Sequence, residues 1–201
     1  HPITEMVTGV DLVELQLRCA AGEHLNLKQG DISRSGHSIE ARIYPEDPKT
    51  MLPTAGSITK VTEPSTEDTR VDGAIFQGYE ILSYYESMMS KLIVWGKDRP
   101  SAIELMRRAL LGYRIEGVST NIPMISRVLA HATFVDGDYG TNSLEEILED
   151  TGTSSAGNEL VAVVALATAL MQDQAAKTKP SRWKQHARRM AMVTRLSTGD
   201  V

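Results

Sequence analysis

The sequence predicts an α+β fold in which a mainly antiparallel sheet carries packed helices. Segments with the alternation of β-strands follow one another through short turns, at 37–45, 57–63, 69–75 and 90–95. Apolar residues spaced at intervals of three and four indicate helices near 8–21, 99–113 and 120–131. A parallel, doubly wound sheet would need a helix between successive strands, and the order of elements lacks that alternation.

The first predicted helix lies in the stretch TGVDLVELQLRCAAGE. Thr8 or Asp11 can accept the hydrogen bond of an N-cap, and Gly22 can end the helix. Its apolar stripe consists of Val10, Val13, Leu17 and Ala20. Such a stripe is typical of a helix that packs on one face.

The later elements follow from their local patterns. The strand HSIEARIY leads into a proline-punctuated loop, PEDPKTMLPTAG. GSITKVTEP and TRVDGAIF are rich in β-branched residues, and SKLIVWG is apolar enough to be buried on both faces. The clearest helix is DRPSAIELMRRALLGYRIEG, with Asp98 as N-cap and Pro100 in its first turn. TNIPMISRVLAHATF begins with a cap and a proline, and SLEEILED predicts a short helix capped by Asn142 or Ser143.

The chain is predicted to contain one domain over residues 1–150, a linker and the start of a second unit. The run TGTSSAGN at 151–158 is small, polar and flexible. Residues 159–201 predict the helical start of an incomplete docking domain, with this apolar stripe: Leu160, Val163, Val164, Ala167, Leu170 and Met171. We expect the stripe to be covered by a symmetry mate or by the 1–150 domain, or else the helix to be disordered.

The composition is that of a soluble globular protein. Of the 201 residues, 41% are hydrophobic and 23% are charged. The single cysteine, Cys19, excludes an internal disulfide and fits a small apolar side chain better than a nucleophile. We therefore expect a reducing compartment: the cytoplasm, or the mitochondrial matrix if the source is eukaryotic.

The sequence contains no evident targeting or membrane-spanning segment. Its start, HPITEMVTG, has neither the basic nor the apolar part of a signal peptide, and because it lacks an initiating Met we expect a piece of a longer protein. The most apolar run, at 160–171, has about half of the ~20 residues that a membrane span requires. We therefore expect no membrane insertion.

The net charge of −5 is unevenly distributed. Residues 1–150 hold 14 basic and 23 acidic side chains, whereas residues 151–201 hold 7 and 3. A basic tail can bind nucleic acid or anionic lipid, but this tail contains a single aromatic residue, Trp183, and follows an acidic body. We expect a solvated or docking segment and no nucleic-acid partner.

The strand at 37–44 carries an acid and a base on one face. Because successive side chains alternate, Ile39 and Ala41 face a core, while Glu40 and Arg42 share the other face roughly 7 Å apart. One interpretation is a solvated ion pair, which contributes little to stability. The other is an arginine that Glu40 holds ready for an anion in a cleft, and spacing alone leaves both open.

Most sequence signatures of catalysis are absent. The chain lacks the patterns of phosphate loops, dinucleotide sites, nucleophile elbows and zinc proteases. Its five histidines are scattered, without the spacing of metal ligands. The residues alone therefore predict an α+β domain with an arginine on a polar sheet face.

Five stretches share their order and spacing with a known family. They are HPITEMVTGVDLVELQLRCAAGE, GHSIEARIYPEDP, LPTAGSITKV, RVDGAIFQGYEILSYYESMMSKLIVWG and IEGVSTNIP. Together they resemble the C-terminal third of the biotin carboxylase component of biotin-dependent carboxylases. The stretch SYYESMMSKLIVWG is most similar to propionyl-CoA and related acyl-CoA carboxylase α chains, with pyruvate and acetyl-CoA carboxylases as alternatives.

The resemblance implies ATP-dependent carboxylation of biotin. In the family, ATP and Mg²⁺ convert bicarbonate into carboxyphosphate, and the deprotonated ureido nitrogen of carrier-bound biotin captures the CO₂ that is released. An arginine in the family's E-x-R strand touches bicarbonate and stabilises the enolate-like oxygen of biotin. Arg42 occupies this position, and Glu40 is implied to orient it. Arginine suits the role because it stays charged and offers a planar fork.

The resemblance also assigns two further positions and one absence. Glu86 stands where the family's YYD motif has an Asp near biotin, and Thr141 matches a threonine near the nucleotide edge. The family's phosphate loop, ATP-contacting lysines and magnesium carboxylates lie upstream of its HP motif, which here is His1 and Pro2. The resemblance therefore implies that this chain holds no metal ligands and is inactive alone.

The implied partners are the biotin carboxyl carrier domain, a carboxyltransferase subunit and further copies of the same chain. An alternative function, from a different class, is a non-catalytic module for dimerisation and subunit docking. In that case the sheet and the apolar helix after the linker would form interfaces.

Overall fold

The computed structural model describes residues 1–82 and 87–150 and has the predicted α+β architecture. Its helices are Pro2–Thr8 (α1), Leu12–Ala20 (α2), Arg99–Gly112 (α3), Ile122–Ala130 (α4), Ala132–Asp136 (α5) and Ser143–Glu149 (α6). Its strands are His37–Ile43 (β1), Gly56–Ser57 (β2), Lys60–Thr62 (β3), Thr69–Gly73 (β4), Glu80–Ile81 (β5), Ser90–Gly96 (β6) and Arg114–Glu116 (β7). The predicted linker at 151–158 and the helical extension at 159–201 lie outside the described residues.

Every strand pair among the described residues is antiparallel, as predicted. The main sheet has three strands in the order β1-β6-β4. The expectation that a strand at 57–63 joins this sheet is wrong, because that segment changes partner midway. Ile58 donates its backbone N–H to Tyr79, beside the β2-β5 pair, and Thr59 donates to Glu116 of β7, so β2 and β3 form two separate small sheets.

Helix α3 covers one face of the main sheet and forms the core with it. It begins where predicted, because the Asp98 carboxylate accepts a hydrogen bond from the Ser101 N–H and Pro100 fits the first turn. The buried core side chains include Ala41, Ile43, Leu92, Val94, Met106, Ala109, Leu110 and Tyr113. The Tyr113 hydroxyl lies 2.7 Å from the Ser90 hydroxyl, so its polar end is satisfied inside this core.

The other face of the sheet is covered by α1, a helix that was not predicted from the sequence. One helix was predicted over residues 8–21, but Gly9 adopts a left-handed φ of 73° and ends α1 there. Asp11 then caps α2 by accepting a hydrogen bond from the Glu14 N–H. Strand β6 is buried on both faces, as predicted, since Ile93 on the α1 side is inaccessible to solvent.

Helix α2 departs from its predicted packing. Its apolar stripe does not enter the core: Val13 and Leu17 are both more than half exposed. Cys19 is also exposed, so it does not serve as the apolar packing residue that its surroundings predicted. Within residues 1–82 and 87–150, no helix combines the length and the apolar character needed to cross a bilayer.

The C-terminal helices are shorter than predicted. The helix predicted at 120–131 ends at Ala130 because His131 is extended, and α5 starts afresh at Ala132. The short helix predicted near 144–150 is present as α6, with Asn142 at its N-cap. Helices α4 and α6 pack together and bury Leu129 and Ile147.

Two adjacent leucines of α3 provide a direct test of this packing. Leu110 is 3% exposed, whereas Leu111 is 65% exposed. We predict that Leu110→Ala lowers the free energy of unfolding by about 2–5 kcal/mol, because it leaves a cavity in the core. The matched control Leu111→Ala should change it by less than about 0.5 kcal/mol. Urea denaturation of both variants measures the difference. Equal effects would contradict the packing of the Leu110 face of α3 against the sheet.

Candidate functional site

The α1 side of the main sheet carries a cluster of charged side chains. Directly opposite residues on antiparallel strands share a face. Arg42 lies opposite Lys91, and Lys91 lies opposite Asp72. On the same face, Ile93 of β6 lies between Glu40 of β1 and Arg70 of β4, and it is directly opposite each of them. We call the set Glu40, Arg42, Arg70, Asp72 and Lys91 the charged sheet face.

Glu40 and Arg42 form the ion pair that their spacing predicted. The Arg42 Nε donates to Glu40 Oε1 at 3.0 Å. The Glu40 side chain is only 10% exposed, whereas that of Arg42 is 58% exposed. The hydrogen bond that Arg42 donates to Glu40 raises the pKa of Arg42 above its ordinary value, and a second one, donated to the Tyr44 hydroxyl, acts in the same direction. The pair therefore consists of a largely buried acid that anchors an accessible, permanently charged guanidinium.

Asn121 fixes the strand end that carries Arg42. Its side-chain Oδ1 accepts from the Tyr44 N–H at 3.0 Å, and its Nδ2 donates to the Arg42 carbonyl at 3.0 Å. The Asn121 backbone N–H donates to the Tyr44 carbonyl at 3.1 Å. Since Asn121 is only 3% exposed, these three bonds are shielded from water. They fix the Arg42–Tyr44 backbone against the start of α4.

Sequence reasoning missed this role of Asn121. The stretch TNIP was interpreted as a helix cap followed by a proline, and Asn121 does stand at the N-cap of α4. Its side chain makes no capping hydrogen bond, however, and reaches across to β1. The available signal was its membership of IEGVSTNIP, one of the five resembling stretches.

A second ion-pair group joins α1 to the sheet. Arg70 contacts Asp72 through two nitrogens, each 2.6 Å from a carboxylate oxygen, and donates from Nη1 to Glu5 Oε2 at 2.5 Å. Burial alone would lower the pKa of Arg70, but the hydrogen bonds to Asp72 and Glu5 raise it above its ordinary value. The other Glu5 oxygen accepts from the Leu12 N–H at 3.1 Å. The 3%-exposed Glu5 thereby connects α1, α2 and β4.

Of the two remaining predicted site residues, one lies outside the described residues and the other lies away from this face. Glu86 falls in 83–86, outside the described residues. Thr141 is exposed in the turn before α6, with its hydroxyl 3.5 Å from Asn142 Oδ1. Its helix packs on α4, so Thr141 belongs to a different part of the fold. Among the described residues, no group of three or more His, Cys, Asp or Glu side chains could hold a metal ion.

Comparison with known families matches two parts of the chain. The pattern of the Biotin carboxylase C-terminal domain family matches residues 40–146, which is more than half of the chain. The pattern of the Carbamoyl-phosphate synthase L chain, ATP binding domain, matches residues 1–28. The first match contains residues 40–43 of β1, the strands β2 to β7 and the helices α3 to α5. The second contains α1 and α2.

Similar proteins are carboxylases from several sources. Biotin carboxylase 2 of Bacillus subtilis is 45% identical over 148 residues, which cover 74% of this chain and 33% of that protein. Methylcrotonoyl-CoA carboxylase subunit alpha of Rattus norvegicus is 41% identical over 75% of this chain and 21% of its own length. The chain thus spans about a third of the length of the bacterial relative.

A solved structure has the same fold. The biotin carboxylase domain dimer of Hydrogenobacter thermophilus 2-oxoglutarate carboxylase, in complex with MgADP, ADP and bicarbonate, matches with a TM-score of 0.72 and 44% identity. The match covers 74% of this chain and 34% of that chain. The α+β fold of the described residues is therefore of the biotin carboxylase type. The chain belongs to the Biotin carboxylase C-terminal domain family.

The three hydrogen bonds of Asn121 lead to a prediction. Asn121→Ala removes both side-chain bonds and leaves the buried Tyr44 N–H without its partner, so we expect the free energy of unfolding to fall by about 1–3 kcal/mol. Asn26→Ala, at an exposed asparagine, should leave it within about 0.5 kcal/mol. Thermal and urea denaturation measure both. An Asn121 variant as stable as the Asn26 control would contradict the proposed anchoring of β1.

Proposed function

We propose that this chain is the C-terminal part of a biotin carboxylase that carboxylates carrier-bound biotin with bicarbonate and ATP. The observation that carries the proposal is the geometry of Arg42: its backbone and its Nε are held, while most of its side chain is exposed. The family membership and the carboxylase names of the relatives support it.

In this proposal Arg42 binds the planar oxyanion of the reaction. A guanidinium presents parallel N–H donors that fit the two oxygens of a bicarbonate. Glu40 acts as a positioning residue, because its hydrogen bond to Nε selects one orientation of the fork. Biotin, when the carrier brings it to the site, supplies the ureido nitrogen that accepts the carboxyl group. The fixed charge of Arg42 then stabilises the negative charge that develops on the ureido oxygen.

We infer that the residues for ATP and magnesium belong to the rest of the enzyme. This division follows from the resemblance, in which these residues lie upstream of the HP motif. The match of residues 1–28 to an ATP-binding domain pattern indicates that α1 and α2 adjoin that part of the enzyme. Glu86 near biotin and Thr141 near the nucleotide edge remain proposals from the resemblance.

The wider organisation is also a proposal. Residues 1–150 would form the carboxylase domain, 151–158 a linker, and 159–201 the start of a domain that docks on a carboxyltransferase subunit. The biotin carboxyl carrier domain and a second copy of the enzyme complete the proposed partners. The names of relatives as subunits, and of the solved structure as a dimer, support an assembly of this kind.

A non-catalytic docking module is the second candidate function. The observation in its favour is α2, whose Val13 and Leu17 lie one turn apart and are both exposed. Apolar side chains that lie close together on a surface are typical of an interface. In the complete enzyme both functions would coexist. In the isolated chain catalysis would be lost and docking would remain.

Arg42 is tested in the complete enzyme. We predict that Arg42→Ala lowers kcat/KM for biotin carboxylation by about 10²–10³-fold, the usual loss when a charge-stabilising donor is removed. The thermal unfolding midpoint should stay near that of the parent, because the side chain is mainly exposed. Arg34→Ala, at another exposed arginine, is the matched control and should retain full activity. Full activity of the Arg42 variant would contradict the assignment of Arg42 as the residue that binds the oxyanion.

The inference that the residues for ATP and magnesium belong to the rest of the enzyme is tested with the 201-residue chain itself. We predict no saturable binding of MgATP at micromolar concentration, because the resemblance assigns the phosphate loop, the ATP-contacting lysines and the magnesium carboxylates to the rest of the enzyme. Isothermal titration calorimetry measures this, with a complete biotin carboxylase as the positive control. Micromolar binding by the chain alone would show that it carries nucleotide-binding residues of its own.

A further inference from the structure

Lys91 lies at the centre of the charged sheet face. It is on the middle strand β6, directly opposite Arg42 of β1 and directly opposite Asp72 of β4. Its side chain is partly buried. The sequence analysis gave it no role beyond its place in the strand SKLIVWG.

The acids of this face are already engaged by arginines. Both Asp72 oxygens bind Arg70, and Glu40 binds Arg42. Within residues 1–82 and 87–150, the side chain of Lys91 forms no hydrogen bond and no ion pair. Among the described residues, it is therefore the cation of the charged sheet face that forms no ion pair with a carboxylate.

This arrangement opposes the stability of the sheet. Like charges directly opposite one another on neighbouring strands repel, and Arg42 and Lys91 form such a pair. A small anion between the two side chains would relieve this repulsion, since it would pair with each cation.

We infer that Lys91 and Arg42 together form a two-cation site for bicarbonate. The inference rests on the proposed function and extends it to a second anion-binding residue. The Cβ atoms of directly opposite residues are about 5 Å apart, so the two long side chains can converge on one small anion. The guanidinium orients the anion through its fork, and the ammonium adds a compact charge with freely rotating donors.

The inference is tested by titrating the 201-residue chain with sodium bicarbonate while chloride is removed to keep the ionic strength constant. The NMR signal of the isotope-labelled Arg42 Nε–H reports binding at the site. Four variants are compared: Lys91→Met, Lys91→Arg, Arg42→Met and Lys97→Met. In Arg42→Met, whose Nε is absent, backbone amide signals of β1 and β6 are followed instead. Lys97 is an exposed lysine directly after β6 and serves as the matched control.

We expect Lys91→Met to weaken bicarbonate binding by about tenfold, the effect of losing one charge-assisted hydrogen bond. Lys91→Arg should restore binding to within about threefold, because it keeps the charge. Lys97→Met should leave binding unchanged. A merely structural role of Lys91 would instead change unfolding midpoints without changing bicarbonate affinity.

The outcomes separate this inference from the proposed function. If Arg42→Met abolishes binding while Lys91→Met binds as tightly as the parent chain, the role of Lys91 is overturned and that of Arg42 stands. If Arg42→Met retains full binding, the proposed function falls as well. The absence of any bicarbonate-dependent shift, or equal shifts with chloride, would overturn both.

Discussion

The buried ion pair between Glu5 and Arg70 is the interaction on which the charged sheet face depends. Strand β6 carries the apolar Ile93 on the side away from α3, and this side chain, which is inaccessible to solvent, must be covered there. The seven-residue α1 is too short to be stable by itself. Glu5 attaches it to β4 through Arg70 and sets the start of α2 through the Leu12 N–H. Removal of one member of such a pair leaves an uncompensated charge, which costs about 3–5 kcal/mol.

The charged sheet face holds the backbone and the Nε of Arg42 in place and leaves the rest of its side chain accessible. Asn121 fixes the backbone at Arg42 and Tyr44, and Glu40 fixes the Nε, while the side chain of Arg42 remains 58% exposed. A catalytic charge is most effective when its position is set before the substrate arrives, since no reorganisation is then needed during reaction. A β-strand in a buried sheet provides this more accurately than a loop would.

Features that rest on contacts between residues close together in the sequence were predicted, whereas features that rest on contacts between distant residues were missed. The Glu40–Arg42 pair and the Asp98 cap of α3 were predicted because their partners lie two or three residues apart. The role of Asn121 and the Glu5–Arg70 pair were missed because their partners lie 77 and 65 positions away. Helix α1 was missed because seven residues are too few to display a helical period. Strands β5 and β7, with two and three residues, were missed because so short a run cannot display strand alternation.

The charges of the face also explain how an acidic chain can bind an anion. Around Arg70 the acids Glu5 and Asp72 prevail. Around Arg42 the bases prevail, because Asp72, the acid opposite Lys91, is already bound by Arg70, and Glu40 is the acid that pairs with Arg42. Repulsion from the overall charge of −5 is screened beyond about 8 Å at physiological ionic strength. A small anion at contact distance therefore experiences the local pair of cations, whereas an extended polyanion would also meet the acidic surroundings.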